Sequence, residues 1–150
     1  MNELDALYRE LILDHPKHPQ HFGLDAAAPG PGGVGESYQK NPVCGDEITL
    51  RARVDGETIA DVAWEGRGCS ISQASASMLA DLVAEEGLSR AEAVALIEGF
   101  REALRSRGQL ELDEEIYGDA AALSGVSKFS ARVKCAMLAW VALEDAIAKA

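Results

Sequence analysis

The sequence predicts an α+β fold: a small antiparallel three-stranded sheet packed against helices, with a helix at each terminus. Three observations carry that expectation. Ile48, Leu50, Ala52 and Val54 alternate with Thr49, Arg51 and Arg53, the period-two pattern of a strand with one buried face. Asp55-Gly56 follows as a hairpin signal, and Ala60, Val62 and Trp64 alternate on the return. Beyond residue 69 the apolar spacing becomes helical, and strands followed by helices make an α+β layout.

The elements follow in order. Leu4, Leu7, Tyr8, Leu11 and Ile12 form one amphipathic stripe, so a helix opens the chain, and Pro16 and Pro19 stop it. Residues 26–35, AAAPGPGGVG, read as a loop, and 35–41 as a short edge strand before the two long ones. After "EGRGC", Ile71, Ala74, Met78, Leu82 and Val83 suit a helix running to about Glu86, with Gly87 ending it. Ser89 and Glu92 have the spacing of a capping box, and Val94, Ile97 and Leu104 line the helix that follows. The polar, acidic stretch 107–119 reads as a loop or a short turn of helix. Ser130 is expected to cap a last helix that turns Val133, Met137, Trp140, Val141, Leu143 and Ile147 to the core.

At 150 residues the chain suits a single domain, 1–150, with a real hydrophobic core. Fourteen Lys plus Arg face 25 Asp plus Glu, a net charge of −11, which argues against nucleic acid as a main partner because phosphate binding needs a basic surface. No stretch approaches a transmembrane span, and MNELDALYRE lacks the basic-then-apolar order of a signal peptide. The expected location is the cytoplasm, with no membrane partner. In a reducing compartment the odd set Cys44, Cys69 and Cys135 points to metal or redox chemistry more than to a disulfide framework.

The hairpin gives these cysteines a geometry. Cys44 lies 11 positions before Asp55 and Cys69 lies 13 after Gly56, so pairing of the two strands can bring them together at its open end. Cys135, early in the last helix, becomes a third ligand if that helix packs near the same end. Asp46, two residues from Cys44, offers an oxygen. Three thiolates and a carboxylate make a tetrahedral site for zinc or iron; the competing reading is three buried cysteines acting as small hydrophobes. Gly45, Gly66 and Gly68 permit close backbone approach, and a helix start at Cys69 favours its thiolate. Arg132 and Lys134 either offset thiolate charge or are solvated side chains on an exposed face. His15, His18 and His21 in HPKHPQH invite a separate metal reading, but two intervening prolines interrupt any shared helical face.

With these motifs in place, "NPVCGD", "GRGCSISQASASM" and "GVSKFSARVKCAMLAWVAL" resemble the three cysteine motifs of the U-type iron–sulfur assembly proteins, the family of IscU, the N-terminal part of NifU, and SufU. "LYRELILDHPKHPQHFG" is similar to the family's opening helix and loop. Lys134 stands immediately before Cys135 in "FSARVKC", where IscU-like members are expected to carry a histidine within a Leu-Pro-Pro-Val-Lys chaperone-recognition segment. The stretch 107–119 is similar to the SufU insertion. The resemblance therefore favours the SufU-like branch and implies zinc on Cys44, Asp46, Cys69 and Cys135, with sulfur accepted from a SufS-like cysteine desulfurase and passed to downstream iron–sulfur assembly proteins. A desulfurase histidine is expected to take the zinc position that one ligand vacates.

On this reading Cys44 is the persulfide acceptor, because its loop costs least to move, and Arg132 supports ligand exchange. The alternative in the same pathway is a scaffold that builds a [2Fe–2S] cluster on Cys44, Cys69 and Cys135, since thiolates that hold zinc also hold iron–sulfur clusters. A structural zinc protein is the reading from another class, and the absence of paired C-x₂₋₄-C ligands counts against it. The absence of C-x-x-C likewise counts against a thioredoxin-like oxidoreductase.

Overall fold

The structure, a computed structural model, describes residues 3–24, 30–42 and 45–150, with side chains from residue 6 onward in the first helix. Helix α1 spans Glu3–Asp14, and strands β1 (Gly33–Lys40), β2 (Glu47–Asp55) and β3 (Thr58–Arg67) follow. Helices α2 (Ser70–Glu86), α3 (Arg90–Leu104) and α4 (Glu114–Tyr117), a 3-10 helix (Gly118–Lys128) and α5 (Ser130–Lys149) complete the order. The strands form one antiparallel sheet in the order β1-β2-β3, as the sequence predicts.

Residues Ile48, Leu50, Ala52 and Val54 of β2 are buried in strict alternation, and α5 and α2 pack across the sheet. The edge strand β1 starts at Gly33 rather than 35, pairing Gly33 with Val54 through Lys40 with Glu47. It is long because α5 lies directly on it: a Cβ at Gly35 would run into the backbone carbonyl of Ala146. On β3 the expected inward residue Ala60 is exposed, while Ile59, Val62 and Trp64 are buried. Val54 pairs with Ile59 but Arg53 with Asp61, so Ala60 is the extra residue of a β-bulge. The bulge reverses the in–out phase of the strand. The hairpin turn itself is Gly56-Glu57, one residue later than expected, with Gly56 in the left-handed region at φ 63°.

The helical boundaries match their caps. Gly87 ends α2 at φ 59°, and Ser89 and Glu92 form the expected capping box on α3. Two side chains expected inside are not there. Val94 is 44% exposed, while Ile97 and Leu104 are buried as expected, with Ala93, Leu96 and Phe100 beside them. Leu7 is 51% exposed; among the described residues α1 meets the core through Tyr8, Leu11 and Ile12, and Leu4 of the expected stripe lies outside the described side chains. The N-cap of α5 is Phe129 in extended conformation, and Ser130 is already helical. Trp140, Leu143 and Ile147 are buried as expected, Val133, Met137 and Val141 only partly. Small residues Ala136, Ala139, Ala142 and Ala146 fill the rest of that face, letting α5 approach the sheet closely.

The stretch 107–119 includes α4 and is less detached than its polarity suggests. Leu112 and Tyr117 are buried, and the Tyr117 hydroxyl donates to the Leu96 carbonyl at 2.9 Å. Burial pushes the Tyr117 phenol above its ordinary pKa. Beside it Phe100 and Trp140 stack with centroids 3.8 Å apart. Among the described residues no helix is long and apolar enough to cross a membrane.

Candidate metal centre

The register of the sheet assembles the centre. The last pairs, Lys40 with Glu47 and Glu47 with Arg67, place the β1–β2 loop beside the exit of β3. That loop is closed at its base: the Asn41 N–H donates to the Asp46 carbonyl at 2.8 Å, and the Gly45 N–H to the Asn41 carbonyl at 2.8 Å. Gly45 sits at φ 76°, which a side chain would resist. The consequence is a fixed Asp46, 1% exposed, facing the start of α2.

Cys69 is the N-cap residue of α2, and its backbone N–H donates to Asp46 Oδ1 at 3.0 Å. The Cys69 carbonyl takes part in the first helical turn, accepting from the Gln73 N–H and the Ser72 hydroxyl. Its thiol side chain makes no capping bond, so it is free for other chemistry at the electropositive end of the helix. A Cβ at Gly68 would collide with Asp46 Oδ1 and Ser72 Oγ; the glycine is there because backbone and carboxylate come so close. Cys135 lies buried in the second turn of α5. The helix is held there by Ser75, whose hydroxyl donates to the Ala136 carbonyl at 2.6 Å and accepts from Trp140 Nε1 at 2.9 Å.

The outcome is that one ligand atom from each of Asp46, Cys69 and Cys135 lies within 4.8 Å of the others. Asp46 Oδ2 is buried and has no hydrogen-bond partner among the described residues. An ionised carboxylate oxygen in that state is costly unless a cation approaches it. Two thiols beside it supply soft donors, so the donor set fits zinc or an iron–sulfur cluster. Cys44 and its neighbour Val43 lie outside the described residues. Arg132, one turn before Cys135, is exposed and forms no ion pair among the described residues.

The three histidines do not converge. His15 is 7% exposed, with Nε2 2.9 Å from Asp119 Oδ2 and Nδ1 2.7 Å from Ser77 Oγ. The carboxylate can only accept, so this arrangement suits the tautomer with its proton on Nε2 and Ser77 donating to Nδ1. Ser77 Oγ in turn accepts from the Gln20 N–H at 2.7 Å. This network joins the segment after α1 to α2 and the 3-10 helix, and the spacing of HPKHPQH held no sign of it because the partners lie 62 and 104 positions away. His18 is exposed near Asp14, and His21 turns to α2.

Fold and donor set together define an α+β protein with a candidate thiolate–carboxylate centre at the open end of a hairpin. Residues 7–136 match the model of the NifU-like N-terminal domain, and the chain belongs to that family. It is 41% identical over 150 residues to the zinc-dependent sulfurtransferase SufU of Bacillus subtilis (strain 168), covering 97% of this chain and 92% of the relative. It is 42% identical over 148 residues to the iron-sulfur cluster assembly scaffold protein IscU of Streptococcus pyogenes serotype M1, covering 98% and 86%. A crystal structure of a putative SUF-system scaffold from Fervidobacterium islandicum AW-1 superposes with a TM-score of 0.74 at 31% identity, over 92% of this chain and 94% of that one.

Proposed function

We infer that this chain is an iron–sulfur cluster assembly protein that accepts persulfide sulfur from a SufS-like cysteine desulfurase at a zinc centre of Cys44, Asp46, Cys69 and Cys135. The observation that carries this reading is the meeting of Asp46, Cys69 and Cys135 donor atoms within 4.8 Å, with Asp46 Oδ2 buried and unpartnered. The zinc-dependent sulfurtransferase among the relatives supports the choice of metal and of activity. Bound zinc supplies charge that keeps the thiols as thiolates and offsets the buried carboxylate.

The residues then divide the work. Cys69 and Cys135 are rooted in α2 and α5 and hold position. Cys44 lies in the sequence between β1 and β2 and belongs to neither helix, so sulfur chemistry there need not disturb α2 or α5. Its thiolate attacks the outer sulfur of the donor's persulfide. A new S–S bond forms as the donor's breaks, the donor cysteine leaves as a thiolate, and the terminal sulfur now rests on Cys44. Arg132, three residues before Cys135 on the same helix, is assigned the support of ligand exchange, by taking up the Asp46 carboxylate or a partner's acid. Downstream iron–sulfur assembly proteins receive the sulfur.

The test is to incubate the protein with an active desulfurase and cysteine and to map added sulfur by mass spectrometry under non-reducing conditions. Persulfide on Cys44, with one zinc per chain as isolated, is expected, and Arg132→Ala should slow desulfurase turnover. Persulfide confined to Cys135 would overturn the assignment. It would favour the second reading, a scaffold assembling a [2Fe–2S] cluster on the same thiolates, which the similarity to scaffold IscU proteins supports.

A further inference from the structure

We propose that His21, Asp81 and Glu85 form a second metal site, one that takes a divalent transition ion on an imidazole nitrogen and two carboxylate oxygens. Asp81 and Glu85 lie four residues apart on α2, so their carboxylates share one helix face. His21 arrives from the segment after α1, and one ligand atom from each of the three lies within 4.8 Å of the others. His21 Nε2 and Glu85 Oε1 are 3.8 Å apart, beyond a direct hydrogen bond. Two donors sharing an ion at about 2.0–2.2 Å from each stand roughly 3–3.5 Å apart, so a small closing movement of the exposed Glu85 completes the geometry.

The imidazole is positioned in advance. The Trp64 N–H donates to the His21 carbonyl at 3.2 Å, Trp64 Nε1 donates to the Gln20 carbonyl at 2.9 Å, and the Gly23 N–H donates to the Trp64 carbonyl at 2.7 Å. Phe22 packs edge-on against the Trp64 ring, with centroids 5.0 Å apart. The His21 backbone is thus fastened to β3 independently of its side chain, and little ordering remains for an ion to impose. The His21 side chain is 24% exposed and that of Glu85 70%, so the ion enters from solvent and water fills its remaining positions.

One imidazole with two carboxylates suits zinc and its first-row neighbours better than calcium, which needs six to eight oxygens. The site is separate from the cysteine centre, since Asp81 lies twelve residues beyond Cys69 on α2, a span of about 18 Å at about 1.5 Å per residue. It does not rest on the sulfur-transfer reading. Its effect is mechanical: a bound ion clamps the segment between α1 and the sheet onto the second half of α2.

The test uses the full chain already carrying one equivalent of zinc and titrates it with further zinc by calorimetry. A second event of one ion per chain is expected, with a rise in melting temperature. His21→Asn removes the imidazole while tolerating the left-handed backbone, φ 59°, and Glu85→Gln alters an exposed side chain. Each should weaken the second event on the order of tenfold or more, as losing even an outer support does at many metal sites, and leave the first equivalent in place. Absence of a second event in the wild type, or wild-type affinity for it in both variants, would overturn the proposal.

Discussion

The two ends of α2 offer opposite kinds of donor. At the Cys69 end the Asp46 carboxylate accepts from the Cys69 backbone N–H beside that residue's thiol, and Asp46 and Cys135 are buried. At the Glu85 end an imidazole and two carboxylates stand partly or largely in water. The difference teaches how one helix can serve two chemistries. Buried soft donors favour thiophilic metal held tightly, because leaving them unpartnered is costly, while exposed nitrogen and oxygen donors lose little when empty and exchange readily. Between the two ends, Ser75 bridges the helix to α5.

The largest expected effect breaks the first end alone. With zinc in excess, Cys69→Ser should lower stability by several kcal/mol, a fraction of the roughly 10 kcal/mol or more that structural zinc contributes in small domains. Asp46→Ala should lose less. In metal-free protein its two effects oppose: the Cys69 N–H loses its acceptor, but the unpartnered Oδ2 disappears, so the net change should stay within about 1–2 kcal/mol. Melting curves with and without zinc, together with the rate of zinc loss to a chelator, check both. Equal melting temperatures for Cys69→Ser and wild type in excess zinc would contradict the ranking.

A middle-sized effect comes from the centre of the helix. Ser75→Ala strands Trp140 Nε1 and leaves the Ala136 carbonyl without the serine hydroxyl, a cost of about 1–3 kcal/mol. Denaturant unfolding should register that loss while zinc stoichiometry stays at the wild-type value. A change in metal content without a change in stability would mean that the two ends are coupled through Ser75.

The smallest effect lies away from both ends. Asp145 on α5 is held below the ordinary aspartate range chiefly by its hydrogen bond with Lys149, and also by the Ser37 hydroxyl, which donates to it at 2.7 Å. A carboxyl whose folded pKa is lowered stabilises the fold above its unfolded pKa, and that contribution is lost as pH falls through the folded value. Asp145→Asn should therefore be slightly less stable than wild type near neutrality and indistinguishable from it in acid. Thermal melts across that range make the comparison, and neither metal site should respond.

Much of this molecule was legible in its spacing. The alternation of Ile48 to Val54 set the inward face of β2, the Ser89–Glu92 box and Gly87 marked helix ends, and Asp46, expected beside the cysteines at the open end of the hairpin, lies against Cys69. Each of these is decided by residues near one another in the chain, through side-chain period, capping and turn chemistry. Cys44, the residue from which the sulfur-transfer reading starts, was identified by its motif, and it lies outside the described residues.

The rest was decided in three dimensions. The bulge at Ala60 reversed the phase of β3, and Leu7 and Val94 stayed exposed because, among the described residues, no neighbour covers those faces of α1 and α3. Residues 118–128 form a 3-10 helix that buries Ala120, Ala121 and Leu123. His15 found Asp119 and Ser77, and His21 came beside Asp81 and Glu85, across separations that no local pattern encodes. The sequence by itself determined the strands, the helix ends and the cysteine motifs, since their free energy is local. Only the tertiary structure decided which distant side chains meet, because that depends on how whole faces pack.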